Sequence, residues 1–204
     1  MNDKLDALLA QMQQIEKDLL RELGRKETEY FYRIEKKRVQ FTDEAKKRHR
    51  GLLKHLNRFL MDTRLLVMLS VPVIWAVLIP IALLDLFVSV YQAICFPVYQ
   101  IPMVRRSEFL LFDRHQLSYL NVIEKLNCEY CAYANGVFAF TTEVAARTEQ
   151  YWCPIKHALR IKTAHSRYKH FFDYGDAERY RKRIEEVRRD FKDVNATEKK
   201  LINT

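Results

Sequence analysis

The sequence predicts an all-α protein with a membrane helical hairpin at its centre, and three observations carry that prediction. The first is an apolar run of about forty residues, Leu65 to Val104, with no Lys, Arg or Glu and a single acid, Asp85. One tilted helix needs roughly 17–25 apolar residues to cross a bilayer, so the run is too long for one crossing and just long enough for two short or re-entrant helices. The second is charge. Lys46, Lys47, Arg48, Arg50, Lys54, Arg58 and Arg64 precede the run, and Arg105 and Arg106 follow it. Basic residues on both flanks mark both as cytoplasmic, which requires the chain to enter and leave on one side. The third is the scarcity of turn residues: 4 Gly and 5 Pro among 204 residues, four of the Pro inside the run.

The hairpin arms fall at Leu65–Ile79 and Leu86–Tyr99, with Pro80 as the break. Asp85 then lies at the tip. A charged side chain at the centre of a single crossing helix would cost about 2.5–3.5 kcal/mol or more.

Ahead of the hairpin, residues 1–62 form a long amphipathic helix. Leu5, Leu8, Met12, Ile15 and Leu19 recur every three or four residues, the seam of a short coiled coil, and Leu9, Leu20 and Leu23 widen the stripe. Residues 1–23 are thus a candidate surface for a homo-oligomer or a partner helix. The N-terminus is charged and amphipathic, unlike a cleavable signal.

Behind the hairpin, at 63–106, a helical Cys/His domain occupies 107–175, and a charged helix and tail occupy 176–204. A buried face from Phe109 to Leu126 runs into Cys128 and Cys131, and Asn135-Gly136 marks a helix end. A second helix covers Val137–Gln150. A third opens at Cys153-Pro154, since Pro is favoured at the first helical position, and runs to about Phe172. Asp176 caps the last helix, Ala177 to Lys192, and Asn195-Ala-Thr in the polar tail is an inert glycosylation match in a cytoplasmic segment.

Thiols supply the chemistry. Cys128 and Cys131 stand at i and i+3, and Cys153 and His157 at i and i+4, so on helices each pair points to one side. Facing each other, the pairs make a Cys3His set suited to zinc or an iron–sulfur cluster and poorly suited to Mg2+ or Ca2+. A cytoplasmic location agrees, because stable disulfides are disfavoured there. Cys153 at a helix N-terminus would have its thiolate stabilised, and Glu143 or Glu149 could orient His157.

With 35 Lys plus Arg against 26 Asp plus Glu, the net charge of +9 points to anionic lipid headgroups as a partner. No nucleic-acid-binding motif accompanies the basic residues, and no Walker loop, Rossmann fingerprint, HExxH or nucleophile elbow identifies a small-molecule substrate or settles whether this is an enzyme. The leading expectation is an integral membrane protein, both termini cytoplasmic, whose metal or cluster domain serves electron transfer, metal sensing or assembly of a membrane complex. Two others stand beside it. One is a structural scaffold resembling caveolin in its hairpin anchor, with at most a structural zinc. The other is a membrane thiol-disulfide oxidoreductase using Cys128 and Cys131, with Cys95 or Cys153 as relay.

Overall fold

In the computed structural model, residues 2–35, 38–55, 58, 61 and 63–194 are described, and they are mostly helical. The tail beyond Val194, with Asn195, lies outside them. Chain contacts group into two compact units: residues 1–63 with 113–129, and residues 64–112 with 130–204.

The first unit opens with α1, Asn2–Glu29, ended at Phe31 by a left-handed backbone (φ 56°). An antiparallel hairpin unforeseen from sequence follows, β1 (Tyr32–Glu35) and β2 (Arg38–Phe41), with Tyr32 opposite Phe41. The β-branched and aromatic content of these short segments favours extended backbone. Thr42 then caps α2, Asp43–Gly51, accepting from the Ala45 N–H at 3.3 Å. Aromatic edges chain Phe41 to His49 and His49 to Tyr119, at centroid separations of 5.2 and 5.3 Å. Of the expected coiled-coil seam, Ile15, Leu19, Leu20 and Leu23 are exposed; the side chains of Leu5, Leu8, Leu9 and Met12 lie outside the described residues.

The second unit departs from the hairpin expectation. α3 (Leu65–Ala76) and α4 (Leu78–Tyr99) are joined by Val77 alone, whose αR backbone (φ −65°, ψ −20°) continues the helical direction. The result is a single apolar helix of 35 residues. Pro80 removes one amide donor from the ladder without reversing the chain, and Asp85 sits within α4, not at a tip. Reversal comes later, at Gln100 (φ 55°), where the Ile101 N–H reaches back to the Phe96 carbonyl at 2.9 Å.

From Gln100 the chain returns along α4 without regular structure, apart from a 3-10 turn at Arg106–Glu108. It lies in the groove between α4 and α5, Val122–Trp152. α4 and α5 run in the same direction, since Trp75 meets Tyr130, Ile81 meets Ala134 and Val137, and Tyr99 meets Tyr151 and Trp152. Phe96, Ile101, Val104, Phe140, Val144 and Phe191 form the main core.

α5 runs unbroken through Asn135-Gly136. Gly136 serves close packing: a Cβ there would meet the Phe109 carbonyl oxygen at 2.9 Å and the Leu110 Cα at 3.1 Å. Its start is fixed by a reciprocal capping box, Asn121 Oδ1 accepting from the Glu124 N–H at 3.0 Å and Glu124 Oε2 from the Asn121 N–H at 2.8 Å. The expected helix from Cys153 to Phe172 is replaced by irregular backbone with a 3-10 turn at Tyr168–His170. Pro154 acts on the helix before it, because the residue preceding a proline is driven out of the αR region. α6, Ala177–Val187, is capped by Asp176 as expected, its side chain accepting from the Arg179 N–H at 3.1 Å.

Candidate functional site

The four expected metal ligands do not converge. Cys131 lies on α5 and Cys153 just past its end, so 22 residues of near-continuous helix separate them. At 1.5 Å per residue that is about 33 Å. Cys128 is one turn before Cys131 and half-buried, while Cys131 and Cys153 are exposed; all four cysteines are free thiols. Cys153 is at a helix C-terminus, so the N-terminal stabilisation of its thiolate expected from sequence is absent. His157 is exposed in irregular backbone, its N–H donating to Tyr168 Oη at 2.9 Å. Glu143 is engaged by Arg147 at 2.9 Å and Ser166 at 2.5 Å, and Glu149 by His165 Nε2 at 3.0 Å, so neither orients His157. Among the described residues no three His, Cys, Asp or Glu side chains are arranged to hold an ion.

What the structure does assemble is an apolar outer surface backed by a polar inner seam. Along Leu65–Ile79 nearly every side chain is exposed on all sides of the helix, Leu66 at 80 % and Val73 at 69 %. From Pro80 onward one face turns inward, carrying the buried residues Ile81, Asp85, Gln92 and Phe96. The opposite face presents Leu83, Leu86, Phe87, Val90, Ile94 and Val98, all exposed. By length and composition this helix is long and apolar enough to cross a membrane, and only 6 % of its most apolar stretch is buried.

The inner seam contains what the sequence reading missed. Arg106, expected only as a flank charge, forms a two-pronged ion pair with Asp85, its Nη2 2.8 Å from Oδ2, while 43 % of its own side chain remains exposed. Ser89 Oγ accepts from Arg106 at 2.9 Å, and Tyr133 Oη donates to Asp85 at 2.9 Å. Farther along, the Gln92 amide satisfies both backbone groups of Val104, accepting its N–H at 2.8 Å and donating to its carbonyl at 3.2 Å. Arg147, buried, donates to the carbonyls of Pro102 at 2.9 Å and Met103 at 3.1 Å. Irregular backbone buried beside an apolar helix needs such side-chain partners, since it has no ladder of its own.

A sequence signal existed for part of this seam. Asp85, Ser89 and Gln92 recur at four and three in an otherwise apolar run, the spacing of one helix face. Their partners, 17 or more residues away in irregular or distant segments apart from the Val104 pair at 12, carry no comparable pattern.

A second seam holds the C-terminal segment. Arg167, fully buried, donates to Gln150 Oε1 at 2.5 Å and to both Asp193 oxygens at 2.8 and 2.7 Å, and stacks over Phe191. Burial pushes the Asp193 carboxyl upward, but the Arg167 hydrogen bonds and charge outweigh it and hold the group below the usual carboxylate range. The chain matches no known protein family, no curated protein and no solved structure.

Proposed function

We propose that the protein is a membrane-anchored helical scaffold, inserted from the cytoplasmic side through Leu65–Tyr99 and displaying its basic parts to partners at the membrane surface. The observation that carries this reading is the uninterrupted apolar exterior of that helix, of whose most apolar stretch only 6 % is buried. Covering such a surface with lipid is favourable by roughly 25 cal/mol per Å2.

Length argues for shallow insertion. The 35 residues make about 52 Å of helix. The hydrocarbon core is about 30 Å thick, and fitting the whole helix inside it as a crossing would take a tilt of about 55°, beyond the usual range of about 0–40°. Lying obliquely, with Leu65–Ile79 dipping and the outer arc of α4 facing the acyl chains, the helix keeps all its apolar surface in lipid. Basic residues before Leu65 and throughout 153–194 then share one anionic leaflet. The exposed Ile15, Leu19, Leu20 and Leu23 on α1 support self-association or capture of a partner helix.

Cys153 provides the test. Because α4 and α5 run in the same direction, a full crossing by Leu65–Tyr99 would place Cys153 across the bilayer from Arg64. In a variant with Cys95, Cys128 and Cys131 replaced by Ser, a membrane-impermeant maleimide should label Cys153 only from the side on which an N-terminal tag is digested. The protein should also stay in the pellet after alkaline carbonate. Release by carbonate defeats membrane insertion, and labelling from the opposite side defeats the same-side topology.

A further inference from the structure

Between the Cys153–Asp173 segment and α6 lies a polar cleft of about 280 Å3, formed within the second unit. Two of its lining residues are tied by backbone: the Phe172 N–H donates to the Pro154 carbonyl and the Lys156 N–H to the Phe172 carbonyl, each at 2.8 Å. Two of its cations are already neutralised. Lys156 pairs with Asp173 at 2.7 Å, and Arg183 pairs with Glu186 through two bonds of 2.8 Å. Lys169 and Arg179 also line the cleft; among the described residues neither makes a salt bridge, and Arg179 is near enough to Asp173 and Glu186 to help hold both carboxyls below their usual range. Asp190 is the third lining acid, so four cations face three carboxylates, an excess of one positive charge before any histidine is protonated. His170 lines the cleft too, with its Nε2 turned to the Asp193 carboxylate at 3.4 Å.

We infer that this cleft is a binding site for a phosphate group, held between Lys169 and Arg179. A guanidinium offers paired N–H donors that match two phosphate oxygens, and an ammonium adds a mobile point charge. Two cations from different segments, with neighbours whose charges are internally compensated, suit a compact dianion better than a long acidic chain. The group could be the headgroup of an anionic phospholipid or a free phosphate, and the two sources are separable. This inference stands on the cleft alone and does not require the membrane reading.

The full chain in a neutral detergent is titrated calorimetrically with inorganic phosphate, and separately mixed with nanodiscs of phosphatidylcholine with or without phosphatidylglycerol. The site predicts saturable binding of one phosphate per chain, weakened at least tenfold in Lys169→Gln/Arg179→Gln and unchanged in Lys182→Gln, an exposed α6 residue outside the cleft. If phosphatidylglycerol strengthens nanodisc association through the same two residues, and free phosphate competes, the headgroup is the source. If only inorganic phosphate responds, the source is a soluble phosphate. No saturable binding in either arm, or binding indifferent to the double substitution, overturns the site.

Discussion

The two halves of the Leu65–Tyr99 helix are both strongly apolar and differ in their few polar residues and in company. The first half, to Ile79, buries no residue and contains one polar side chain, Ser70, which bonds back to the Val67 carbonyl at 2.7 Å. The second half buries Ile81, Asp85, Gln92 and Phe96 along one face, and its polar groups reach across to Arg106, Val104 and Tyr133. The lesson is that a polar residue inside a long apolar helix identifies its packed face, while an unbroken apolar stretch identifies the part with no protein neighbour. Hydrophobicity alone distinguishes neither half.

The largest test of that contrast removes one partner of the inner ion pair. Arg106→Met leaves the Asp85 carboxylate buried without its counter-charge and should cost up to about 3 kcal/mol, less than a fully buried pair because the Arg106 side chain is 43 % exposed, measured as thermal unfolding in detergent. The double variant Asp85→Leu/Arg106→Met should recover most of that loss. If the single substitution is silent, the second half is not held by this pair.

Charge placed on the outside probes the other half. Val73→Arg should weaken membrane insertion by about 2.5–3 kcal/mol, read as a shift from carbonate-resistant pellet to supernatant. Val90→Arg, on the outer arc of α4, should act in the same direction. Indifference at Val90 would confine lipid contact to the first half and sharpen the division.

A smaller effect is expected from Gly136→Ala. The added methyl meets backbone atoms of Phe109 and Leu110, which cannot rotate away, and the loss should be about 1–3 kcal/mol in the same unfolding assay, with membrane association intact. The smallest effect lies farthest from the helix. Asp193 has a folded-state pKa depressed by Arg167, so its contribution to stability is complete above the unfolded value of about 3.9 and is lost as pH falls through the lower folded value. Asp193→Asn should remove that contribution at neutral pH and flatten the acid limb, so that the variant and native stability profiles converge as pH falls below about 4.

Much of the architecture was legible because it follows local rules. The apolar run, the Asp176 cap and the helical character of 122–152 are written in periodicity and end signals. Errors arose where one residue type serves two ends. Gly136 suits a helix terminus and equally a close helix crossing, and only the position of Phe109 decides. Pro154 can open a helix or close the one before it, and here it closes one. Asn121 and Glu124 form a capping box visible in the sequence, and it marks where α5 starts. The metal quartet failed for a reason of length: an unbroken helix between Cys131 and Cys153 turns a spacing compatible with a cluster into a separation that forbids one. The Asp85–Arg106 pair links residues 21 apart through a non-helical return, which no periodic pattern encodes.

The returning segment after Gln100 carries a consequence for biosynthesis. Two of its carbonyls, those of Pro102 and Met103, are answered among the described residues by Arg147, a residue made some 45 positions later. Until that arginine leaves the ribosome, the segment must keep those oxygens hydrated or borrow transient partners. A nascent chain stopped before position 147 therefore has Leu65–Tyr99 complete while the returning segment still lacks the partner of those two carbonyls.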